Sequence, residues 1–445
     1  MTEIFFVYNE KLIKPPKIYE YLSKFFEKKE NITLENKKEV VVLKNKNTDF
    51  IDPQLSFRLN FIKEYNSTNT ISLHQIITND AKSIIFTTYM VDVEWLIKTF
   101  PILKNIPVMI VHSHPNLDTK KINTDFPAKA GKSALSKENN IHLKRAYLPI
   151  SYGLCHGKII IVKYDNFLRI VVSTANLLEI DYDRKTQGLW VQDFPKINED
   201  NEVVKSELAM DFKYTLHDYL TRLDLNADFL NNYSFNDVKI VLITSVPGYH
   251  NKDNLNNYGH LKVRKILDKY ELHPKFKNSS ILAQISSIGS LSESWLKEIQ
   301  RSFCGENINN NIEENIKIVW PTVNFVKNSI DGYKAGSSLC FPKVNLKQFL
   351  KPLFYEYNSS FERNNITPHI KSYTREKDSD LAWFLLTSSN LSTAAWGQLQ
   401  KDNTQLFIRH YEIGVLFLPD ENKNYSYPLP YTLPLEKNNN PWVWK

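Results

Sequence analysis

The sequence predicts an α/β protein of two similar α-β-α sandwich domains related by a pseudo-twofold axis, with a functional site at their interface. A chain of 445 residues exceeds what one ordinary hydrophobic core accommodates, and two units of about 200 residues each follow. From Phe57 onward, helical segments such as Leu73–Thr78 alternate with β-rich runs such as Ser83–Thr88 and Pro107–Val111, the pattern of a layered α/β domain. A third observation is a duplication. His156-Gly-Lys158 leads through an apolar stretch to Thr174-Ala-Asn176-Leu177, and His369-Ile-Lys371 leads to Ser388-Ser-Asn390-Leu391. His and Asn are 20 residues apart in the first copy and 21 in the second, so one functional unit is written once in each half.

In chain order, residues 1–53 are rich in Lys, Glu and Asn, with a short strand candidate at Val40-Val-Val-Leu43, and read as an accessory segment. Residues 54–232 form the first expected domain. Within it Lys158–Tyr164, a turn at Asp165-Asn166 and Leu168–Ser173 make a hairpin rich in Ile and Val. A boundary is expected near 229–236, where the polar Asn231-Asn232-Tyr-Ser follows a helix and the β-run Val238–Ile243 begins. Residues 233–445 form the second domain. It has β-runs at Ile281–Ile285, Ile316–Val319 and Glu412–Leu418, and a second hairpin from His369–Tyr373 through a charged turn at Arg375–Asp380 to Leu381–Leu386.

Composition narrows the function classes. Apolar residues make up 42% and charged residues 24%, which is the balance of a folded chain rather than a disordered one. The formal charge of +7 favours an anionic partner bound in a basic groove over a fully basic coat. Three cysteines, Cys155, Cys304 and Cys340, are odd in number and lack paired C-x-x-C spacing. They indicate neither a disulfide framework nor a zinc site, and suggest a reducing compartment. The N-terminus lacks a basic segment followed by an apolar core, and no long uncharged apolar stretch follows, so neither secretion nor membrane spanning is expected.

In a β-strand, residues i and i+2 point to one face, so His156 and Lys158 are expected to project together, as are His369 and Lys371. Each returning strand then brings Asn176 or Asn390 alongside. An ammonium and a carboxamide can hold non-bridging phosphate oxygens while an imidazole acts as nucleophile or as acid and base. In-line displacement places attacking and leaving atoms on opposite sides of phosphorus. Two sets facing one another therefore suit a phosphodiester, with one imidazole attacking and the other protonating the departing oxygen. No carboxylate cluster with metal spacing accompanies them, so no cofactor and no metal is expected. Four further triplets, starting at His142, His250, His260 and His273, lack the hairpin and the Asn and are expected to be structural. His112-Ser-His114 lacks acidic or Cys partners and reads as strand-end structure.

The duplicated H-x-K…N pattern resembles the phospholipase D superfamily, and its details resemble the tyrosyl-DNA phosphodiesterase 1 branch. The superfamily's acidic residue would fall at Lys163 and Glu376, and loss of the first acid fits that branch better than the lipases. The resemblance is specific around Lys185-Thr-Gln-Gly188, Gln284-Ile-Ser-Ser-Ile-Gly-Ser290, Gly332-Tyr-Lys-Ala-Gly-Ser-Ser338, Thr387 to Gly397, Arg409-His-Tyr-Glu-Ile-Gly414, Pro430-Tyr-Thr-Leu-Pro434 and Pro441-Trp-Val-Trp444. It extends from about residue 57 to the C-terminus. It implies His156 as nucleophile and His369 as general acid and base, with Lys158, Asn176, Lys371 and Asn390 on the phosphate oxygens. Gln187 and Glu412 match residues that orient each imidazole from the opposite half, fixing its tautomer. Ser286, Ser287, Ile288, Gly289, Ser290, Ser338 and Ser392 are the candidate DNA contacts. Ser286, Ser287 and Ser290 precede a helix and Ser392 opens one, where hydroxyls and free N–H groups grip DNA phosphate or simply cap the helix, and Tyr152 matches an aromatic ring that stacks on a base. Cys155 and Cys340 depart from the family pattern.

The activity so implied is metal-independent hydrolysis of the 3′-phosphotyrosyl bond between DNA and a topoisomerase I remnant, and of other 3′ adducts, through a phosphohistidine. The implied partners are DNA carrying a 3′-linked tyrosine or peptide, mainly at single-stranded or nicked ends, with no membrane. A nuclear monomer is expected. The rival readings are a phospholipase D-type lipid hydrolase or transferase and a non-catalytic nucleic-acid-binding relative.

Overall fold

In the computed structural model, residues 6–8, 11–13, 57–65, 69–114, 133–135, 140–197, 206–270, 272–304, 311–360, 363–418 and 429–444 are described. The strand candidate at Val40–Leu43 lies outside them.

Two large sheets organise the chain. One has nine strands in the spatial order Thr70–Ile71, Phe57–Asn60, Gly188–Pro195, Phe167–Ser173, Lys158–Lys163, Ser83–Thr88, Val108–His112, Ile141–Arg145 and Ser133–Leu135. The other has seven, in the order Val241–Ser245, Glu412–Phe417, Asp380–Thr387, Ser372–Lys377, Ser280–Gln284, Ile316–Trp320 and Phe354–Glu356. The same five-strand centre occurs in both. An outer strand runs antiparallel to the returning arm of a hairpin, the hairpin's first arm runs antiparallel to the next strand, and that strand pairs in parallel with the fifth. The sequence duplication is thus a duplication of sheet topology.

Alternation along the strands builds three apolar layers. Ile159, Ile161, Leu168, Ile170 and Val172 of the first sheet share one cluster with Phe384, Leu386, Ile413 and Val415 of the second, and helix Glu207–Arg222 packs into it through Phe212, Leu216 and Leu220. The opposite side chains of the first sheet, Ile160, Val162 and Val171, join Leu96 of helix Val93–Thr99. Those of the second, Leu385 and Leu416, join Trp295, Leu296 and Ile299 of helix Glu293–Cys304. Both arms of the first hairpin are buried on both faces, which is why their sequences are near-continuous runs of Ile, Val and Leu instead of a polar/apolar alternation, whereas Ser372–Lys377 of the second hairpin carries none of these residues. The charged side chain in the middle of the returning strand, Arg169, is matched across the ladder by Asp193, with Nε and Nη2 at 2.7 and 2.8 Å from the carboxylate oxygens.

Two expectations need correction. The first strand of each hairpin starts at Lys158 and Ser372, so neither histidine lies in a strand and the shared-face argument does not place them. The second turn is also tighter than expected. Strands run to Lys377 and from Asp380, and Asp378 and Ser379, with φ of 54° and 70°, make a two-residue connection.

Candidate active site

What places the histidines is a crossed pair of backbone clamps. The N–H groups of His156 and Gly157 both donate to the carbonyl of Tyr411, at 2.9 and 2.8 Å. Those of His369 and Ile370 both donate to the carbonyl of Thr186, at 2.9 Å each. Tyr411 immediately precedes Glu412, and Thr186 immediately precedes Gln187, so each half holds the other's histidine loop by the residue next to that histidine's side-chain partner. Gly157 is required here, because a Cβ would sit 2.1 Å from the Tyr219 hydroxyl.

The side chains follow the same crossing. Glu412 Oε2 lies 2.9 Å from His156 Nδ1 and also accepts from the Ser388 hydroxyl. Gln187 Oε1 lies 3.2 Å from His369 Nδ1, accepts from Thr174 Oγ1 at 2.8 Å, and its Nε2 donates to the Asp181 carbonyl at 3.1 Å. For His156, Nδ1–H donating to the carboxylate leaves Nε2 free, and for His369 both ends of the Gln187 amide, Oε1 at 3.2 Å and Nε2 at 3.1 Å, hold the ring through Nδ1. Lys158 Nζ donates to the His156 carbonyl at 2.5 Å, and Lys371 Nζ donates to the His369 carbonyl.

The two asparagines are held differently. Asn390 Oδ1 accepts from the Ser286 N–H at 3.1 Å, so the end it can offer a phosphate is its amino group. Asn176 gives one Nδ2 hydrogen and its backbone N–H to Asp181 Oδ2, both at 2.9 Å. Its second Nδ2 hydrogen remains for a ligand.

The electrostatics are those of a buried cleft in which cationic groups crowd together. Burial, followed by the fields of Lys158 and Lys371, pushes the His156 imidazolium well below its ordinary range. Burial, then Lys371, Lys185 and Lys158, does the same to His369. Burial also lowers Lys158 to about 8, and burial together with Lys158 lowers Lys371 well below a normal lysine. Desolvation raises Glu412 to about 7 against the opposing pull of Lys158. A bound phosphodiester would offset the lysine field, making protonation of His369 easier and keeping both ammonium groups charged.

Seven of the eight residues expected to carry the chemistry are linked to one another by these contacts and fields, and Asn390 is held by Ser286. The outer residues divide. Ser286 joins Asn390, Ile288 bridges Leu391, and the Gly289 N–H donates to the Leu391 carbonyl at 3.0 Å. Ser392 caps helix Thr393–Trp396 through Ala395 N. Ser287 bridges Cys340, whereas Ser290 is exposed and the cap of the following helix is Ser292, whose hydroxyl accepts from Trp295 N. Ser338 closes the 3₁₀ turn Gly332–Ser338, two residues before Cys340. Tyr152 does not touch His156. It is 87% exposed, with φ of 61°, and the ring beside the imidazole is Tyr89, at 5.9 Å.

Asp181 is the central residue that sequence reasoning missed. Only 1% exposed, it accepts Lys185 Nζ on Oδ1 at 2.6 Å, holds Asn176 on Oδ2, and lies 3.8 Å from His369 Nδ1. Its partner Lys185 opens the Lys185-Thr-Gln-Gly188 motif, which was the available signal.

The other His-x-Lys triplets have structural partners. Lys144 pairs with Asp224 at 2.6 Å, His250 Nε2 donates to the Val246 carbonyl, His260 contacts Ser302, Lys262 pairs with Asp211, and His273 accepts from Lys275 N. His112 is buried at a strand end, its Nδ1 accepting from His114 N. Among the described residues, no group of three His, Cys, Asp or Glu side chains is placed to hold a metal ion.

Two like α/β sheets with a His-Lys-Asn set from each meeting in one cleft define the phospholipase D fold. The model of the tyrosyl-DNA phosphodiesterase family matches residues 56–439, and the chain belongs to that family. It is 39% identical over 388 residues to tyrosyl-DNA phosphodiesterase 1 of Arabidopsis thaliana, covering 81% of this chain but only 61% of the plant protein. With the Drosophila melanogaster protein of the same name it shares 30% over 408 residues, covering 82% and 68%. The yeast tyrosyl-DNA phosphodiesterase structure has the same fold, with a TM-score of 0.66 at 21% identity over 87% of this chain and 99% of that one.

Proposed function

We propose that the protein hydrolyses the 3′-phosphotyrosyl bond between DNA and a topoisomerase I remnant, and other 3′ adducts, through a covalent phosphohistidine. The observation that carries this reading is the chemical difference between the two imidazole partners. The Glu412 carboxylate, 2.9 Å from His156 Nδ1, increases electron density at Nε2 and stabilises the positive ring that forms once Nε2 is bonded to phosphorus. That suits a nucleophile. The neutral Gln187 amide, 3.2 Å from His369 Nδ1, fixes orientation without binding the ring's proton more tightly, which suits an acid.

In the first step His156 Nε2 attacks phosphorus, the bond to the tyrosine oxygen breaks, and His369 gives that oxygen its proton. Lys158, Lys371, Asn176 and Asn390 hold the non-bridging oxygens as charge develops. In the second step water attacks phosphorus, His369 takes its proton, and the phosphorus–nitrogen bond breaks to release a DNA 3′-phosphate. Two imidazoles and two ammonium groups supply every charge and proton these steps need, so the reading includes no metal.

The repeated five-strand order supports dividing the chain into units 54–232 and 233–445, with 1–53 as an accessory segment. A DNA substrate implies a nuclear location, and we read the chain as acting as a monomer. Among the described residues no helix is long and apolar enough to cross a membrane. The deciding experiment is incubation of the purified protein with a 3′-phosphotyrosyl oligonucleotide in EDTA. Release of tyrosine with a 3′-phosphate product is expected, and a requirement for Mg²⁺ would overturn the mechanism.

A further inference from the structure

A small sheet of three strands, Gly248–Asn251, Gln405–Ile408 and Gln398–Gln400, has an outer face that packing leaves unexplained. Along Gln405–Ile408 the side chains alternate. Leu406 and Ile408 are fully buried, while Phe407 and the following Arg409 turn outward. Tyr249 is paired in register with Phe407, is 57% exposed, and stacks on it with ring centroids 4.8 Å apart and planes 26° from parallel. The Arg409 guanidinium stands 5.4 Å from the Phe407 ring centroid. Gln398, opposite Phe407 on the other neighbouring strand, is exposed. The result is an aromatic pair with a cation and an amide beside it, displayed on a rigid ladder.

This face is continuous with the cleft. The N–H groups of Arg409 and His410 donate to the Ala394 carbonyl at 3.1 and 3.0 Å, inside the helix capped by Ser392. On the other side, the Arg409 carbonyl lies 2.7 Å from where a Cβ on Gly153 would sit, next to the exposed ring of Tyr152. Two residues beyond His410, Glu412 contacts His156. A strip formed by the half-buried ring of Phe407 and the exposed Arg409 therefore lies on the segment that leads from the histidine cleft out to exposed Tyr249.

We infer that this strip, centred on Tyr249, Phe407 and Arg409, binds single-stranded DNA several nucleotides upstream of the scissile 3′ phosphate. The inference rests on the reading of the cleft given above. Stacking on exposed rings tolerates any base, which an enzyme acting on ends of arbitrary sequence needs. Arg409 supplies a phosphate partner and reinforces the stack, in keeping with the net charge of +7.

The test compares wild type with Tyr249→Ala/Phe407→Ala on 3′-phosphotyrosyl substrates of about 4 and about 12 nucleotides, lengths at the two ends of a strand-binding site. The expected result is a rise in KM on the order of tenfold for the longer substrate, with kcat unchanged and the shorter substrate unaffected. An equal effect on both lengths, or none on either, overturns the proposal. An unchanged thermal midpoint separates surface truncation from misfolding. Fluorescence anisotropy with an unmodified labelled strand of about 12 nucleotides tests the strip apart from catalysis. Weakened binding by the variant upholds it even if wild type cleaves nothing, and unchanged binding overturns it. Arg409→Gln should reduce the salt dependence of that binding by about one phosphate contact. A variant that loses affinity for a tyrosine-containing peptide while keeping it for DNA also overturns the proposal.

Discussion

The Glu412 carboxylate lies 2.9 Å from His156 Nδ1 although 256 residues separate them along the chain. Burial raises this carboxyl to about 7, so it changes charge close to neutrality. The ionised form accepts Nδ1–H and frees Nε2 to attack. The rate of adduct formation should therefore fall on the alkaline side, where His369 loses the proton it must give, and fall also as pH drops through about 7. Glu412→Gln should remove that limb and slow adduct formation at pH 8 by about 100-fold, as single-turnover kinetics across pH will reveal.

The two histidines should fail in different ways. His156→Ala should neither form an adduct nor release tyrosine. His369→Ala loses the proton donor, so a substrate whose leaving group needs no proton, such as a 4-nitrophenyl phosphodiester of the same oligonucleotide, should still load His156. It should then stall, because water activation also needs His369. A DNA-linked band on a denaturing gel that accumulates with His369→Ala and is absent with His156→Ala is the expected outcome.

Asp181 acts through its neighbours and is a positioning residue. Asp181→Ala removes the partner of buried Lys185 and frees Asn176, and breaking a buried pair from one side costs about 3–5 kcal/mol. A urea unfolding curve should show that loss. The variant Asp181→Asn keeps the shape but not the charge. It should lower kcat more than it changes KM, since Asn176 bonds to this carboxylate and would lose alignment with the phosphate.

A steric prediction concerns Gly157 and Tyr219. Gly157→Ala places a Cβ 2.1 Å from the Tyr219 hydroxyl, and overpacking of this kind costs about 1–3 kcal/mol. That hydroxyl is buried beside Thr87, whose own hydroxyl already donates to the Gly157 carbonyl at 2.7 Å, so Tyr219→Phe alone should cost no more than about 1 kcal/mol. The double variant should recover most of the loss, and a thermal-unfolding cycle over the four proteins gives the coupling.

The sequence reveals those parts of this protein that repeat or alternate. The Ile and Val runs announce the first hairpin, the repeated His-x-Lys triplet announces the second, and the spacing from His to Asn announces the two halves. Ser83–Thr88 was legible to the residue because both faces of that strand are buried and its boundaries are polar. The β-run from Val238 becomes a strand only at Val241, since Val238 and Ile240 are equally apolar but serve the core from the connection before it. Asp181 was invisible for a different reason. A carboxylate in the first turn of the short helix Glu179–Asp183 looks like ordinary helix chemistry until folding brings Lys185 and Asn176 onto its two oxygens. Gln187 and Glu412 could be assigned only through the family resemblance, because nothing local in either stretch reports a partner in the other half.

The crossed clamps at Tyr411 and Thr186 have a consequence for how such a site divides labour. Two identical subunits related by a true twofold axis would have to give both imidazoles the same partner, and so the same intrinsic reactivity. A single chain carrying both halves is free of that constraint. It can set a carboxylate against one ring and an amide against the other, so that the roles of attacker and proton donor are assigned before any substrate arrives.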